Sequence, residues 1–402
     1  MTKSFDVNII KFNMALFLRA ILLLSPVMLL FYQENGLTVK ELFFFQGIFY
    51  LTAIISEIPI GYLSDTIPRK NLLITSFLIF VGFYTAWLFF HGYFVIMAGE
   101  MLFAISKVMM DNAMSGYLYD YLTLKQQKQS MVKYYGYLNF YLSFGTAVGG
   151  IIGTYMYSKL GSKIVIFSEI ILVLLSVFLV MSLPQIKSVP RKLDSICQKL
   201  KSFFSVSKDL CKNVSISYYV FYSGLLTSFS ILFALSFQPL MQSALFPIVL
   251  FGVVAFSNHA VRALSGIVAG KLLRNFDINK LVIPLFMLYV LGFVFVFYIL
   301  LSNNIALILM LLILICLIIG VQVVFTILHV SRIHKFVTIE KRGTLMAFNN
   351  FVSRVLAAFV LISSKFFIEK SGLTQFFVIA FAVFLITGSY FMVRITKLRT
   401  KE

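Results

Sequence analysis

The stretch "EIPIGYLSDTIPRKN", residues 57–71, interrupts a nearly unbroken apolar run with a Glu, an Asp, an Arg and a Lys set among a glycine and two prolines. Apolar sequence resumes directly after it. Of the 402 residues, 60% are hydrophobic and 12% charged, and Phe alone occurs 45 times. A soluble core cannot absorb so many large apolar side chains, because polar residues have to cover its outside. Apolar runs of about 18 residues or more recur along the chain, each long enough to cross ~30 Å of hydrocarbon as a helix. Helices satisfy their own backbone hydrogen bonds where lipid offers no partner, so the composition predicts an all-α integral membrane protein. No cleavable signal peptide is evident, since the first apolar segment runs into "FYQENGLT" (31–38) and not into a small-residue site.

Twelve transmembrane helices are predicted, near 8–32, 40–62, 71–90, 93–121, 134–157, 163–183, 217–240, 246–270, 281–301, 305–333, 343–367 and 374–394. The longest polar stretch, 184–216, carries Lys187, Arg191, Lys192, Lys199, Lys201, Lys208 and Lys212. It reads as a cytoplasmic central loop between an N-terminal six-helix bundle, 1–183, and a C-terminal one, 217–402. With both termini inside, only Lys40, Lys159, Lys163, Lys365 and Lys370 among the loop bases fall outside. That asymmetry predicts cytoplasmic N and C termini. The net charge of +19 is then membrane topology, and no nucleic-acid partner is expected. Cys197, Cys211 and Cys316 suggest neither a disulfide nor a metal site.

The opening stretch contains Gly61-x-Leu63-Ser64-Asp65-x-x-x-Arg69-Lys70. This resembles the loop-2/3 signature of the major facilitator superfamily, G-x-L-[AS]-D-[RK]-x-G-[RK]-[RK]. Thr66 stands where a base is usual and Pro68 where a glycine is usual. In physical terms, Gly61 permits close helix contact, Asp65 can sit against a helix N-terminus, and Arg69 and Lys70 anchor the loop in the cytosol. Taken alone, the Arg-Lys pair would support only a topology-setting basic loop. Residues 266–274, "GIVAGKLLR", repeat the spacing at an offset of 205: Gly266 matches Gly61, Ala269 Ser64, Lys271 Thr66 and Arg274 Arg69, while Gly270 replaces the Asp. Weak internal symmetry of this kind is what two related halves leave. Gly136-x8-Gly145-x3-Gly149-Gly150-x2-Gly153 in the fifth span resembles a second signature, typical of antiporter branches, with Gly150 in place of a proline and Thr154 in place of a glycine. A small-residue face for tight helix packing explains the same pattern. The resemblance implies two pseudo-symmetric six-helix bundles, the MFS fold, that rock about a midplane site and alternate its access.

Ionisable groups inside spans are costly and functional by default. On the fourth span Glu100, Lys107 and Asp111 fall within about 40° of one another, and Asp120 lies on the opposite face near the inner end. In the family, spans 1, 4, 7 and 10 line the cavity, so these groups are cavity and proton-coupling candidates, with Arg19 on span 1 as partner and Glu169 on span 6 beside them. A permanent Lys107–Asp111 ion pair that never titrates is the alternative. The resemblance also implies a gating cluster of Gly61, Asp65, Arg69 and Asp120 that latches the outward-facing state. Glu57 and Arg354 form an expected inter-bundle pair. Tyr218, Tyr222, Gln238, His259, Arg262, Gln322, His329 and Arg332 are substrate-binding candidates.

The second half carries Arg262, Arg332, Arg354, His259 and His329 without an intramembrane acid, which favours a substrate with an anionic group. No nucleotide-binding loop, metal-ligand cluster or nucleophile–base arrangement is present. The expectation is therefore not an enzyme but a monomeric secondary transporter in a bacterial cytoplasmic membrane, without cofactor. It would exchange protons for a small organic anionic, zwitterionic or amphipathic substrate, most simply as an efflux antiporter. A proton-coupled importer and a non-transporting sensor or scaffold on the same fold are the alternatives. Intact intramembrane charges argue against a scaffold, which has no need of costly groups in lipid.

Overall fold

Each long apolar run forms a helix in the computed structural model, which describes residues 6–186, 196–272, 277–302, 305–333 and 342–399. The helices are α1 (Val7–Ala20), α2 (Met28–Glu34), α3 (Val39–Thr66), α4 (Arg69–Phe89), α5 (Tyr93–Leu124), α6 (Met131–Met181), α7 (Ile196–Lys212), α8 (Val214–Ser243), α9 (Ile248–Leu272), α10 (Asn279–Ser302), α11 (Ile305–Ile333) and α12 (Arg342–Arg399). No strand occurs among the described residues. At 51 and 58 residues, α6 and α12 are each about twice the length needed to cross a bilayer. Each turns at one glycine in the left-handed region, Gly161 (φ 78°) and Gly372 (φ 84°). Only glycine takes that conformation without a Cβ clash. By length, these two turns let the chain make the twelve expected crossings.

Two features add detail to the expected spans. The first span is not one helix: α1 ends at Ala20, residues 21–24 leave the helical ladder, and a 3₁₀ turn, Ser25–Val27, leads into α2. Pro26 works against a continuous helix here, since it has no N–H to donate to the carbonyl four residues earlier, in the broken segment, and its ring clashes with that carbonyl. The central polar stretch is also not simply a loop, because α7 occupies Ile196–Lys212. Lys187, Arg191 and Lys192 lie outside the described residues, as does Arg274 of the second-half echo.

The chain divides into two compact units, and the division does not follow the expected halves everywhere. One contains 1–37, 52–199 and 248–259; the other contains 38–51, 200–247 and 260–402. The first halves of α3 and α9 are thus exchanged. Two glycines serve this exchange, and they stand 205 residues apart, the offset of the sequence echo. A Cβ on Gly47 would lie 2.8 Å from the Ile362 backbone nitrogen, and one on Gly252 would collide with Gly150 O and Thr154 Oγ1. Each half of the repeat therefore brings one backbone directly against another.

In the first unit the α4 stripe Phe80, Phe83, Tyr84 and Trp87, at helical spacing, stacks on itself and on Phe103 of α5. In the second, Phe229, Phe233, Tyr289, Phe293 and Phe384 form the corresponding ring cluster. The small-residue face of α6 closes the first unit. Cβ atoms added to Gly145, Gly149 and Gly153 would meet Phe17 O at 2.6 Å, Leu22 N at 2.8 Å and the Leu23 carbonyl. Gly61 behaves differently from expectation: an added Cβ there meets nothing within 4 Å, so it makes no close helix contact.

These two environments predict opposite responses to added bulk. Gly153→Val forces the α1 break away from α6 and lowers thermal stability in detergent by about 1–3 kcal/mol. Gly61→Ala is neutral or stabilising by up to about 1 kcal/mol, because it adds helix propensity without a clash. Equal losses in the two variants would contradict the packing described.

Candidate functional site

At one end of the first unit, Pro68 stops α3 and caps α4, which places Asp65 and Arg69 on facing ends of one turn. Arg69 Nη2 donates to Asp65 Oδ1 at 3.2 Å, and Arg69 Nε lies 4.0 Å from Asp120 Oδ2. The second distance is an ion pair without a hydrogen bond. The three charges expected to cluster are thus brought together. The guanidinium lies against Gly116 of α5, where an added Cβ would come within 2.8 Å of Arg69 Nε. Lys70 does more than anchor a loop. Its Nζ donates to the Met181 and Leu183 carbonyls at 2.7 and 2.6 Å, capping the end of α6 with charge where the helix dipole is negative. Tyr117 adds a hydrogen bond to the Pro184 carbonyl at 3.1 Å.

Deeper in this unit, the three charges predicted on one face of α5 separate. Lys107 Nζ holds both oxygens of Asp111, at 2.5 and 2.7 Å, and the two side chains are 42% and 34% exposed. Glu100 is fully buried and accepts from Tyr32 Oη at 2.7 Å. Glu169 is also fully buried. Its Oε1 accepts from Tyr84 Oη at 2.9 Å and its Oε2 from the Leu24 amide at 3.3 Å, so it caps the chain where span 1 breaks. No cation lies within ion-pair distance of Glu169 among the described residues. Arg19, at the end of α1, lies within Coulombic range of Glu169 and Asp111 but contacts neither, and stacks on the Phe80 ring at 3.4 Å. Its Nε and Nη2 have no hydrogen-bond partner. A cation on an aromatic face retains part of its stabilisation when desolvated.

The second unit presents a neutral polar stripe. Gln322 Nε2 donates to Thr227 Oγ1 at 3.0 Å and to Thr326 Oγ1 at 3.2 Å, and His329 Nε2 lies 3.3 Å from Asn349 Oδ1. His329 is fully buried between the Phe325 and Tyr219 rings, and its Nδ1 has no partner. Other candidates are engaged structurally. Tyr222 is fully buried with its hydroxyl on the Val282 carbonyl at 2.8 Å, and Tyr218 packs on the Tyr390 and Phe391 rings. Gln238 is buried and His259 half-buried. Arg262 and Arg354 both lie in Coulombic range of Tyr50. Arg332 is in the last turn of α11, and its side chain lies outside the described residues. Glu57 belongs to the first unit and Arg354 to the second.

Sequence reasoning missed Tyr32, Tyr84, Gly116, Thr227, Thr326 and Asn349. One of these was detectable: Gln322, Thr326 and His329 recur at i, i+4 and i+7, one polar stripe on an apolar helix. Ser25-Pro26 inside an apolar run separately marks a place where the helical ladder cannot continue and its backbone groups need other partners. The tyrosines carry no such signal, since phenols in spans are common and their partners come from distant helices.

A family model described as Major Facilitator Superfamily matches residues 12–361. A solved structure of a point mutant of the nucleoside transporter NupG superposes with a TM-score of 0.77 at 12% identity, covering 97% of this chain and 99% of that one. A second NupG structure gives 0.75 at 12% identity, covering 96% and 98%. At that identity the likeness is one of fold alone. No curated protein sequence matches the chain.

The Arg69 cluster makes a prediction that needs no substrate. Gly116→Leu occupies the space of the guanidinium and raises amide hydrogen exchange over residues 61–70 as much as Arg69→Ala does, with both proteins still folded. Exchange unchanged in Gly116→Leu would show that Arg69 is not seated there.

Proposed function

The chain belongs to the Major Facilitator Superfamily, and on that premise we propose that it is a secondary transporter exporting a small anionic or zwitterionic organic molecule against protons. The observation that carries proton coupling is Glu169, a fully buried carboxyl group held by a phenol and a backbone amide without a contacting cation. A buried ionisable group of this kind is expensive to keep in a membrane and marks function by default. The closed Lys107–Asp111 pair supports its reading as a permanent ion pair, which moves the proton site from Asp111 to Glu169. The charge cluster of Asp65, Arg69 and Asp120 serves as the latch of one access state. Substrate contacts are assigned to the stripe of Gln322, Thr227, Thr326 and His329 in the second unit, with Arg262 supplying charge toward an anionic group. The energy source is the proton gradient, and the termini lie on the cytoplasmic side.

The test is substrate-dependent pH change inside proteoliposomes, with anionic, zwitterionic and cationic compounds and, because of the fold likeness, nucleosides. Proton movement opposite to an anionic or zwitterionic compound is expected. Glu169→Gln reduces it at least about tenfold while preserving the fold, since the amide oxygen still accepts from Leu24. Asp111→Asn leaves proton stoichiometry unchanged. Full coupling in Glu169→Gln would remove Glu169 from the mechanism, and coupling to cationic lipophiles alone would overturn the substrate charge.

A further inference from the structure

The helix α7 (Ile196–Lys212), which lies between the two halves of the sequence, has a face that the transport mechanism does not use. At about 100° per residue, Leu200, Phe203, Ser207 and Leu210 fall within roughly 80° of one another. Ser207 and Leu210 are buried, and Phe203 stacks edge-on against Phe351 of α12 at 5.7 Å. The adjoining flank is composed differently. Phe204, Lys208, Lys201 and Lys212 span a further arc of about 80°. Phe204 is 55% exposed, and the three lysines are exposed beside it. Cys211 is exposed on the same flank. Lys212 also pairs with Asp209 at 2.9 Å, at the far edge of the lysine stripe.

Two features set the depth of α7. Only Asn213, which caps α8, separates Lys212 from the membrane-length helix α8. Phe351, which Phe203 touches, lies nine residues, or about 13 Å, in from the start of α12. Both features are those of a helix at the boundary of the hydrocarbon layer. A large aromatic side chain exposed at that depth, bordered by flexible lysines, matches the form of an interfacial helix that sinks its apolar flank into the acyl boundary while its lysines reach the headgroups. We propose that this flank of α7 binds anionic phospholipid, with Phe204 inserted below the headgroups and Lys201, Lys208 and Lys212 paired to headgroup phosphates. Charge complementarity favours lipid over a second protein: three bases stand in one stripe, and an anionic membrane surface attracts each by ~1 kcal/mol. Binding of lipid here would tether the link between the two repeats to the membrane surface.

The experiment uses full-length protein in nanodiscs, whose leaflets have the same composition, so its outcome does not depend on which way the chain is inserted. A spin label is placed at Phe204→Cys, or at Ser205→Cys on the polar side, in a background with Cys197, Cys211 and Cys316 replaced by Ser. Accessibility to oxygen and to a water-soluble nickel complex reports depth. In phosphatidylglycerol-containing discs the label at 204 is reached by oxygen and shielded from nickel, while the label at 205 stays nickel-accessible. Pure phosphatidylcholine discs, or Lys201→Gln with Lys208→Gln and Lys212→Gln, lower the docked-to-undocked ratio by about 10²-fold, at ~1 kcal/mol per lysine. If the cysteine-free background is unstable, native Cys211 carries the label with the other two cysteines replaced one at a time. Equal nickel access at 204 and 205 in anionic discs overturns the insertion. Shielding at 204 that ignores both lipid charge and the lysine substitutions overturns the headgroup pairing and leaves apolar insertion of Phe204 alone.

Discussion

A backbone amide in hydrocarbon must find its acceptor inside the protein, and the first unit is organised around one place where a helix fails to supply it. Pro26 ends the regular ladder of span 1, and the Leu24 amide is satisfied by Glu169 from a helix about 145 residues away in sequence. An unmet amide there would cost about 1–3 kcal/mol. Glu169 can reach it only because Gly145, Gly149 and Gly153 let α6 lie directly on the broken segment. Its other oxygen holds Tyr84, which belongs to the α4 ring stripe, and that stripe carries Arg19 on Phe80. A packing requirement and an ionisable site are thus one structure. A proton arriving at Glu169 would alter a contact on which α1, α4 and α6 all depend, which is how a titration could be felt as a helix movement.

The charges of the first unit follow two rules. Those near helix ends share a partner, as Asp65 and Asp120 share Arg69, and such a network can loosen at one contact while the other holds. Those deeper in are either closed on a neighbour one turn away, as Lys107 and Asp111 are, or accept a hydrogen bond from a tyrosine of another helix, as Glu100 and Glu169 do. The second unit offers no buried acid in its polar stripe, only amides, hydroxyls and a histidine. The division leaves buried carboxylates in one unit's interior and neutral hydrogen bonding in the other's polar stripe, although both repeats keep the same close-approach glycine on their second helix.

Composition, run length and charge asymmetry determined the helical membrane class and the spacing of the crossings, because the hydrocarbon layer imposes one length and one hydrogen-bonding solution on any chain. The loop signature at 61–70 was legible for a similar reason: turn geometry and helix-end charge act over a few residues. Lys107–Asp111 was readable as well, since i,i+4 neighbours on one helix meet whatever surrounds them, whereas Asp65 and Arg69 meet across the turn between α3 and α4, as the family resemblance implied. Three things were decided only by the tertiary structure. Glu100 and Glu169 took tyrosine partners from other helices; Gly61, chosen for contact, faces open space; and the polar centre of the chain folded an amphipathic helix. The first two depend on which helix faces which, and an apolar helix in an apolar chain has little in its own sequence to say which side will meet a neighbour and which will meet lipid; the third rests on a polar stretch whose helical period is broken up by lysines.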